Sequence, residues 1–259
     1  MFRLIWLFFR VGAMNELQYR VNFFVQLIQS LVALGTGLIG LALVFSYTTT
    51  LAGWTRPELL AVMGVYTLMG GLINATIQPN MQQLLNDVQQ GTLDYTLTKP
   101  ADSQLQVSVR QVHIWSMTDL LLGLGVLTFA IFQIQAKVGI LQALIFIALL
   151  FIGGLMIYCF WLILTTGVFW VIRMENILEL FQGIYQAGRW PTTIYPGWLQ
   201  VGLTFLVPVA FAVTVPTEAI TGRLTVITLL EALALTLFLL LFSRWFWKLG
   251  LRHYSGASA

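Results

Sequence analysis

Six continuous apolar stretches, near 22–47, 59–79, 114–133, 140–171, 194–216 and 224–247, occupy most of this 259-residue chain. About 20 consecutive apolar residues span the hydrocarbon core of a bilayer as a helix, and soluble domains seldom carry even one such run. Charged residues make up 9% of the chain and hydrophobic ones 58%, so little is left for a water-facing domain. Inside the bilayer every backbone N–H and C=O must be paired within the protein, which leaves helices and closed barrels. The runs are continuous, not alternating, and that selects helices. The expected fold is an all-α integral membrane protein, a single transmembrane domain over residues 1–259 with six spans.

The formal charge of +3 does not point to nucleic acid, because the basic residues sit at helix ends. Arg3, Arg10 and Arg20 precede the first span, and Arg244, Lys248 and Arg252 close the last. Lys and Arg concentrate on the cytoplasmic side of membrane proteins, so six spans with both termini inside satisfy the pattern. Loops carrying Arg56, Lys137 and Arg223 then face outward. The first apolar run is too long for the h-region of a signal peptide and is expected to remain as a span. The one cysteine, Cys159, lies in the fourth run and has no partner for an intrachain disulfide. With only His113 and His253, at separate places in the chain, no metal ligand set is expected.

Residues 1–20 read as a basic amphipathic helix on the membrane surface, with Leu4, Leu7, Phe8, Val11 and Met14 on one face and Arg3 and Arg10 on another. Glu16 and Arg20 form an i,i+4 pair within it. A charged flank that merely orients the first span fits equally well. The stretch 173–223 also admits two readings. Hydropathy makes 194–216 the fifth span. Yet Pro191, Pro196, Pro208 and Pro216 fall there, and proline removes a donor and kinks a helix. The second reading places the fifth span near 174–190 and leaves 191–222 as short helices dipping into the outer leaflet, where protein must cover the broken backbone.

The longest polar stretch, 80–112, lies between the second and third spans. Met81, Leu84, Leu85 and Val88 form a helical apolar stripe, with Gln82, Asn86 and Gln89 facing elsewhere. Gly91 is placed to end that helix in the left-handed conformation. Lys99-Pro100 imposes an extended break, and Asp102 and Ser103 are suited to cap the helix leading into the third span. The run Gly35-Thr36-Gly37-Leu38-Ile39-Gly40 matches a dinucleotide-binding pattern in letters only. It lies mid-span without the strand that pattern requires, so its small residues read as a helix contact. No GxxxxGK occurs, so any use of ATP belongs to another polypeptide. Polar groups within spans are costly and mark function by default, which makes Tyr66, Asn74, Asp119 and Glu231 candidates for a polar pathway. A helix–helix hydrogen bond explains Asn74 equally well, and an interfacial position explains Asp119 and Glu231. Trp6, Trp54, Trp198, Trp245 and Trp247 read as aromatic-belt anchors.

The run Val88-Gln89-Gln90-Gly91-Thr92-Leu93-Asp94-Tyr95-Thr96-Leu97-Thr98-Lys99-Pro100 resembles the segment after the second span of ABC-2-type exporter permeases. Gly188-Arg189-Trp190-Pro191 through Tyr195-Pro196, Val207-Pro208 and Val215-Pro216 is similar to that family's outer re-entrant region. Phe169-Trp170 through Asn176 fits bacterial permeases of about this size. The resemblance implies a six-span permease subunit of an ATP-driven exporter in a bacterial plasma membrane, without an enzymatic site of its own. It implies a second permease, identical or different, and ABC ATPase subunits as two copies or two different chains. ATP and Mg would sit on the ATPase, with no cofactor in this chain. Residues 1–20 would be the interface helix, with Arg3, Arg10, Glu16 and Arg20. Residues near 82–99, within the loop 80–112, would be the coupling helix, contacting the ATPase through Asn86, Asp87, Gln90, Gly91, Thr92, Asp94 and Lys99. Residues 191–222 would be the re-entrant region. An intramembrane enzyme would need nucleophiles or ligands that pair by spacing, and none do. An ion-coupled secondary transporter, which usually shows internal repeats, and a non-transporting assembly factor remain as alternatives.

Overall fold

The structure, a computed structural model, describes residues 20–100, 102–134, 139–171 and 177–254, with Arg10 and Met14 as further helical positions. Arg3, Glu16, the side chain of Arg20 and the turn at Lys137 lie outside the described residues, so the interface-helix assignment is not addressed beyond an exposed Arg10. In chain order the helices are α1 (Arg20–Tyr47), α2 (Arg56–Leu72), α3 (Gln78–Gln89), α4 (Asp94–Leu97), α5 (Ser103–Val109), α6 (Met117–Ile134), α7 (Ile140–Thr166), α8 (Ile177–Gln186), α9 (Gly197–Val201), α10 (Val215–Thr221) and α11 (Val226–His253). Two short antiparallel strands, β1 (Thr50–Leu51) and β2 (Trp54–Thr55), turn the chain between α1 and α2 through Ala52 and Gly53. Among the described residues five helices are long and apolar enough to cross a bilayer, or six if the bent pair Gly197–Leu206 and Ala210–Thr221, meeting at 77°, counts as one. The protein is an all-α membrane protein.

The second span runs further than its apolar stretch. Arg56–Gln89 is one helical path of 34 residues, roughly 50 Å long, against a hydrocarbon core of about 30 Å. The apolar stripe Met81, Leu84 and Leu85 is therefore not on a separate helix, as the sequence suggests, but on the projecting continuation α3, where all three are buried. Pro79 sits inside this path and has no N–H to give the carbonyl of Ala75. A π turn at Ile73–Ile77 absorbs the defect. The Ala75 carbonyl instead accepts from the His113 N–H at 2.8 Å, drawing the start of the third span against the second.

Two opposite faces are defined by ion pairs. On the upper face Arg223 donates to Glu58 at 2.9 and 3.0 Å and to the Gly53 carbonyl at 2.8 Å. It covers the Trp54 ring at 4.8 Å, and the Trp54 Nε1–H donates to Thr193 at 3.0 Å. On the lower face Arg244 of α11 pairs with Asp102 and donates to Gln104 at 2.7 Å. The loop between the first two spans thus shares a face with the turn before α11, and the 90–112 segment shares the other with the end of α11. Trp54 and Trp247 are buried, Trp247 against Phe169 and Ser103, so neither is a lipid-facing belt anchor. Trp198 and Trp245 are exposed.

Among the described elements α2 and α6 form the most extensive helix pair, and glycine makes it possible. A Cβ on Gly64 would fall 2.8 Å from the Leu127 nitrogen, and one on Gly123 would fall 2.5 Å from the Leu68 nitrogen, so each helix rides on the other's backbone. In the 35–40 run Gly37 meets only the flexible end of the Met63 side chain, and Gly35 and Gly40 face open space. Beyond α7 the chain climbs beside α2. Phe181 packs on Trp161, Tyr185 stacks on Tyr66 at 4.9 Å, and the Thr192 N–H reaches Thr214 at 3.3 Å. The bent pair presses its backbone on Gly153, at the middle of α7, where a Cβ would lie 2.6 Å from the Phe211 carbonyl. It then returns to the upper face at Arg223.

Candidate functional site: a braced loop below a polar cavity

Polar side chains gather in two places, the lower-face loop and a cavity between α1, α2 and α8. In the loop, Gly91 takes φ 70° and ends α3, as its position predicts. Asp87, expected at an ATPase contact, has a side chain only 7% exposed. Its carboxylate accepts from Arg110 at 2.6 Å, Gln83 at 2.8 Å and Thr92 at 3.2 Å, while its own carbonyl accepts from the Thr92 N–H at 2.8 Å. Arg110 also donates to Thr96 at 3.1 Å. Asp87 therefore knots the loop from inside. Asn86, Gly91, Thr92 and Asp94 are partly exposed, Gln90 and Lys99 are exposed, and Tyr95 is 75% exposed. Tyr95 had no place among the expected contact residues; an aromatic inside a polar loop was the available signal.

Below the knot, α5 is bolted to the spans. Asp102 caps it by accepting from the Leu105 N–H at 3.1 Å, so the cap serves this short helix and not the third span, which starts at Ile114. The Arg244 hydrogen bond, reinforced by the Leu105 amide, holds the Asp102 carboxyl below the usual carboxylate range despite the opposing effect of burial. Ser108 and Gln104 meet the Tyr158 hydroxyl of α7 at 2.7 and 3.3 Å. Asn80, buried on α3, accepts from the Gln111 N–H and donates to the Gln111 carbonyl, both at 2.8 Å. The loop is thus braced to α3, α7 and α11 at once.

The cavity of about 280 Å³ is lined by α1, α2, α8 and the turns that follow α2 and α8, with Asp119 from α6, and includes Tyr66, Asn74, Tyr185 and Arg189. A wider recess of about 510 Å³ adjoins it toward the lower face, sharing Asn74, Gln78 and Gln182 and adding Gln29, Gln82 and Gln111. Of the expected pathway residues, Tyr66, Asn74 and Asp119 come together here, with Asp119 accepting from Gln26 at 3.3 Å. Glu231 does not join them; it is exposed on α11. The glutamines and Arg189 are not among the expected pathway residues, because they come from four segments that only the fold assembles.

The profile of the family described as ABC-2 family transporter protein matches residues 31–258. No curated protein and no solved structure matches the chain. With that match covering nearly all of a helical membrane chain, the protein belongs to the ABC-2 transporter family, as the membrane component of an ABC transporter.

Proposed function

We propose that this chain is the permease subunit of an ATP-driven exporter, working with ABC ATPase subunits and a second permease, in a bacterial plasma membrane. The lower face would then be cytoplasmic, together with both termini. The observation that carries this reading is the braced loop. A segment knotted by Asp87–Arg110 and tied to α3, α7 and α11 transmits a push from a partner to the spans without absorbing it. Docking falls to the exposed outer side, Asn86, Gln90, Tyr95 and Lys99, while Asp87 positions the loop. The bent pair 197–221, entering and leaving near the upper face and resting on Gly153, fits a re-entrant hairpin with α8 as the lower part of the fifth span. The cavity beside α2 and α8 supplies the path. A partner's ATP-driven closure changes the equilibrium only through contacts that differ between the two states, and a rigid loop seated in a partner's cleft provides them.

Purification from the native membrane in mild detergent, with mass spectrometry of what stays bound, tests this. A stoichiometric ATPase chain whose ATP turnover depends on the permease is expected. A chain that comes out alone and neither rebinds nor stimulates an ATPase would instead favour a secondary transporter or an assembly factor.

A further inference from the structure

Arg189 is the one basic side chain among the described residues lining the cavity, and no carboxylate among them pairs with it. Its guanidinium lies 5.6 Å from the centre of the Tyr66 ring. Tyr66 is ten residues into the span that begins at Arg56, about 15 Å down the axis, which is half of a core of about 30 Å. An arginine at mid-bilayer is costly and faces a partner or a pathway. Asp119 lies lower, beside Gly71, some 7 Å further along the same helix, and is engaged by Gln26. A second copy related by an axis along the membrane normal would keep every residue at its own depth. Among the described acids, Glu58, Glu218 and Glu231 lie toward the upper ends of their elements and Asp87, Asp94, Asp102, Asp119 and Glu179 toward the lower; Asp119 shares the cavity with Arg189, and none of these acids forms an ion pair with it.

We infer that Arg189 binds the anionic group of the transported molecule, a carboxylate, phosphate or sulfate on an apolar body. Guanidinium is suited to such oxyanions by its planar fork of donors. Leu34, Met63, Ile73 and Phe181 form the apolar wall, and the recess below, lined mainly by amides with His113, offers a polar approach that passes Asp119 on the cavity wall. Amides bind and release polar groups without holding an ion, so the fixed positive charge of Arg189 sets the preference. This assignment rests on the reading of the cavity as the transport path.

The test uses the purified full chain in nanodiscs of phosphatidylcholine, with dodecyl phosphate, inorganic phosphate and dodecanol as probes. Arginine modification by phenylglyoxal, mapped by peptide mass spectrometry on the unaltered chain, reports whether each probe shields Arg189. Saturable protection by dodecyl phosphate, with little from the other two, is expected. Arg189→Gln should weaken dodecyl phosphate binding about tenfold or more, and Arg189→Lys should retain part of it. Equal protection by dodecanol, or unchanged affinity in Arg189→Gln, would overturn the assignment. Equal protection by inorganic phosphate would overturn the amphiphile and leave a simple anion site. If Arg189 is shielded without any probe and Arg189→Gln splits a dimer, it is a subunit contact and the proposal fails. No ATPase is needed for these readouts. Loss of the anion site beside a bound ATPase removes only this inference, whereas protection at Arg189 without any ATPase partner removes only the exporter reading.

Discussion

Asp87 and Arg110 show how a charged pair inside a polar loop sets its shape. With side chains 7% and 16% exposed and a separation of 2.6 Å, removing one member strands the other away from water. Breaking such a pair typically costs about 3–5 kcal/mol, so Asp87→Ala should lower the thermal midpoint and expose residues 92–100 to limited proteolysis. Loss of ATPase binding in that variant would then follow from unfolding of the loop. Asp102 behaves differently because it is a third exposed and its carboxyl is depressed chiefly by Arg244. A folded-state pKa below the unfolded value of about 3.9 stabilises the fold above that pH, and the contribution disappears as pH falls through the folded value. Asp102→Asn keeps a good helix cap and loses the charge. Its deficit, within about 1 kcal/mol for a partly exposed pair, should be present at pH 6 and fade as pH falls through the lowered Asp102 value, read in paired denaturation curves.

At the scale of elements, the α2–α6 pair depends on backbones touching. Gly123→Ala places a methyl within 2.5 Å of the Leu68 nitrogen, a contact that no rotamer relieves. The helices must part, at a cost of about 1–3 kcal/mol, visible as a lower melting temperature in detergent. Gly125→Ala on the same helix meets nothing within 4 Å and should be silent, which separates packing from helix propensity. The other decisive element is the α2–α3 path. Its proline would ordinarily break a helix, yet the π turn and the Ala75–His113 bond convert the lost donor into a link between spans two and three.

Across the whole molecule, one continuous helical path joins the loop with the exposed Tyr95 to the cavity: loop, α3, the π turn with Asn74, then α2 with Tyr66. Aromatic side chains are enriched among interface residues that dominate binding energy. Tyr95→Ala should therefore leave the thermal midpoint unchanged while reducing ATPase co-purification and permease-dependent ATP turnover. A variant that keeps full ATPase coupling would move the docking surface elsewhere on the lower face. The upper clasp of Arg223, Glu58 and Trp54 ties the first hairpin to the turn before α11, so the two halves of the subunit are held at one face and braced at the other.

Membrane location, the helical class, the alternation of loops between two faces and the Gly91 helix stop were all legible in the residue order. Each depends on hydropathy, charge placement or backbone conformation, which are local properties. The Asp87 knot, the burial of Trp54 and Trp247, the passage of the second span through Pro79 and the position of Arg189 were not legible. They depend on which side chain from a distant segment arrives opposite, and on how deep in the bilayer it arrives. A lone arginine in Gly188-Arg189-Trp190-Pro191 looks like an ordinary loop charge until Tyr185 stacks on Tyr66 and carries it to the middle of the bundle. Apolar length put this chain in a membrane; only tertiary packing, which turns sequence distance into depth and contact, placed a charge in the cavity beside Tyr66.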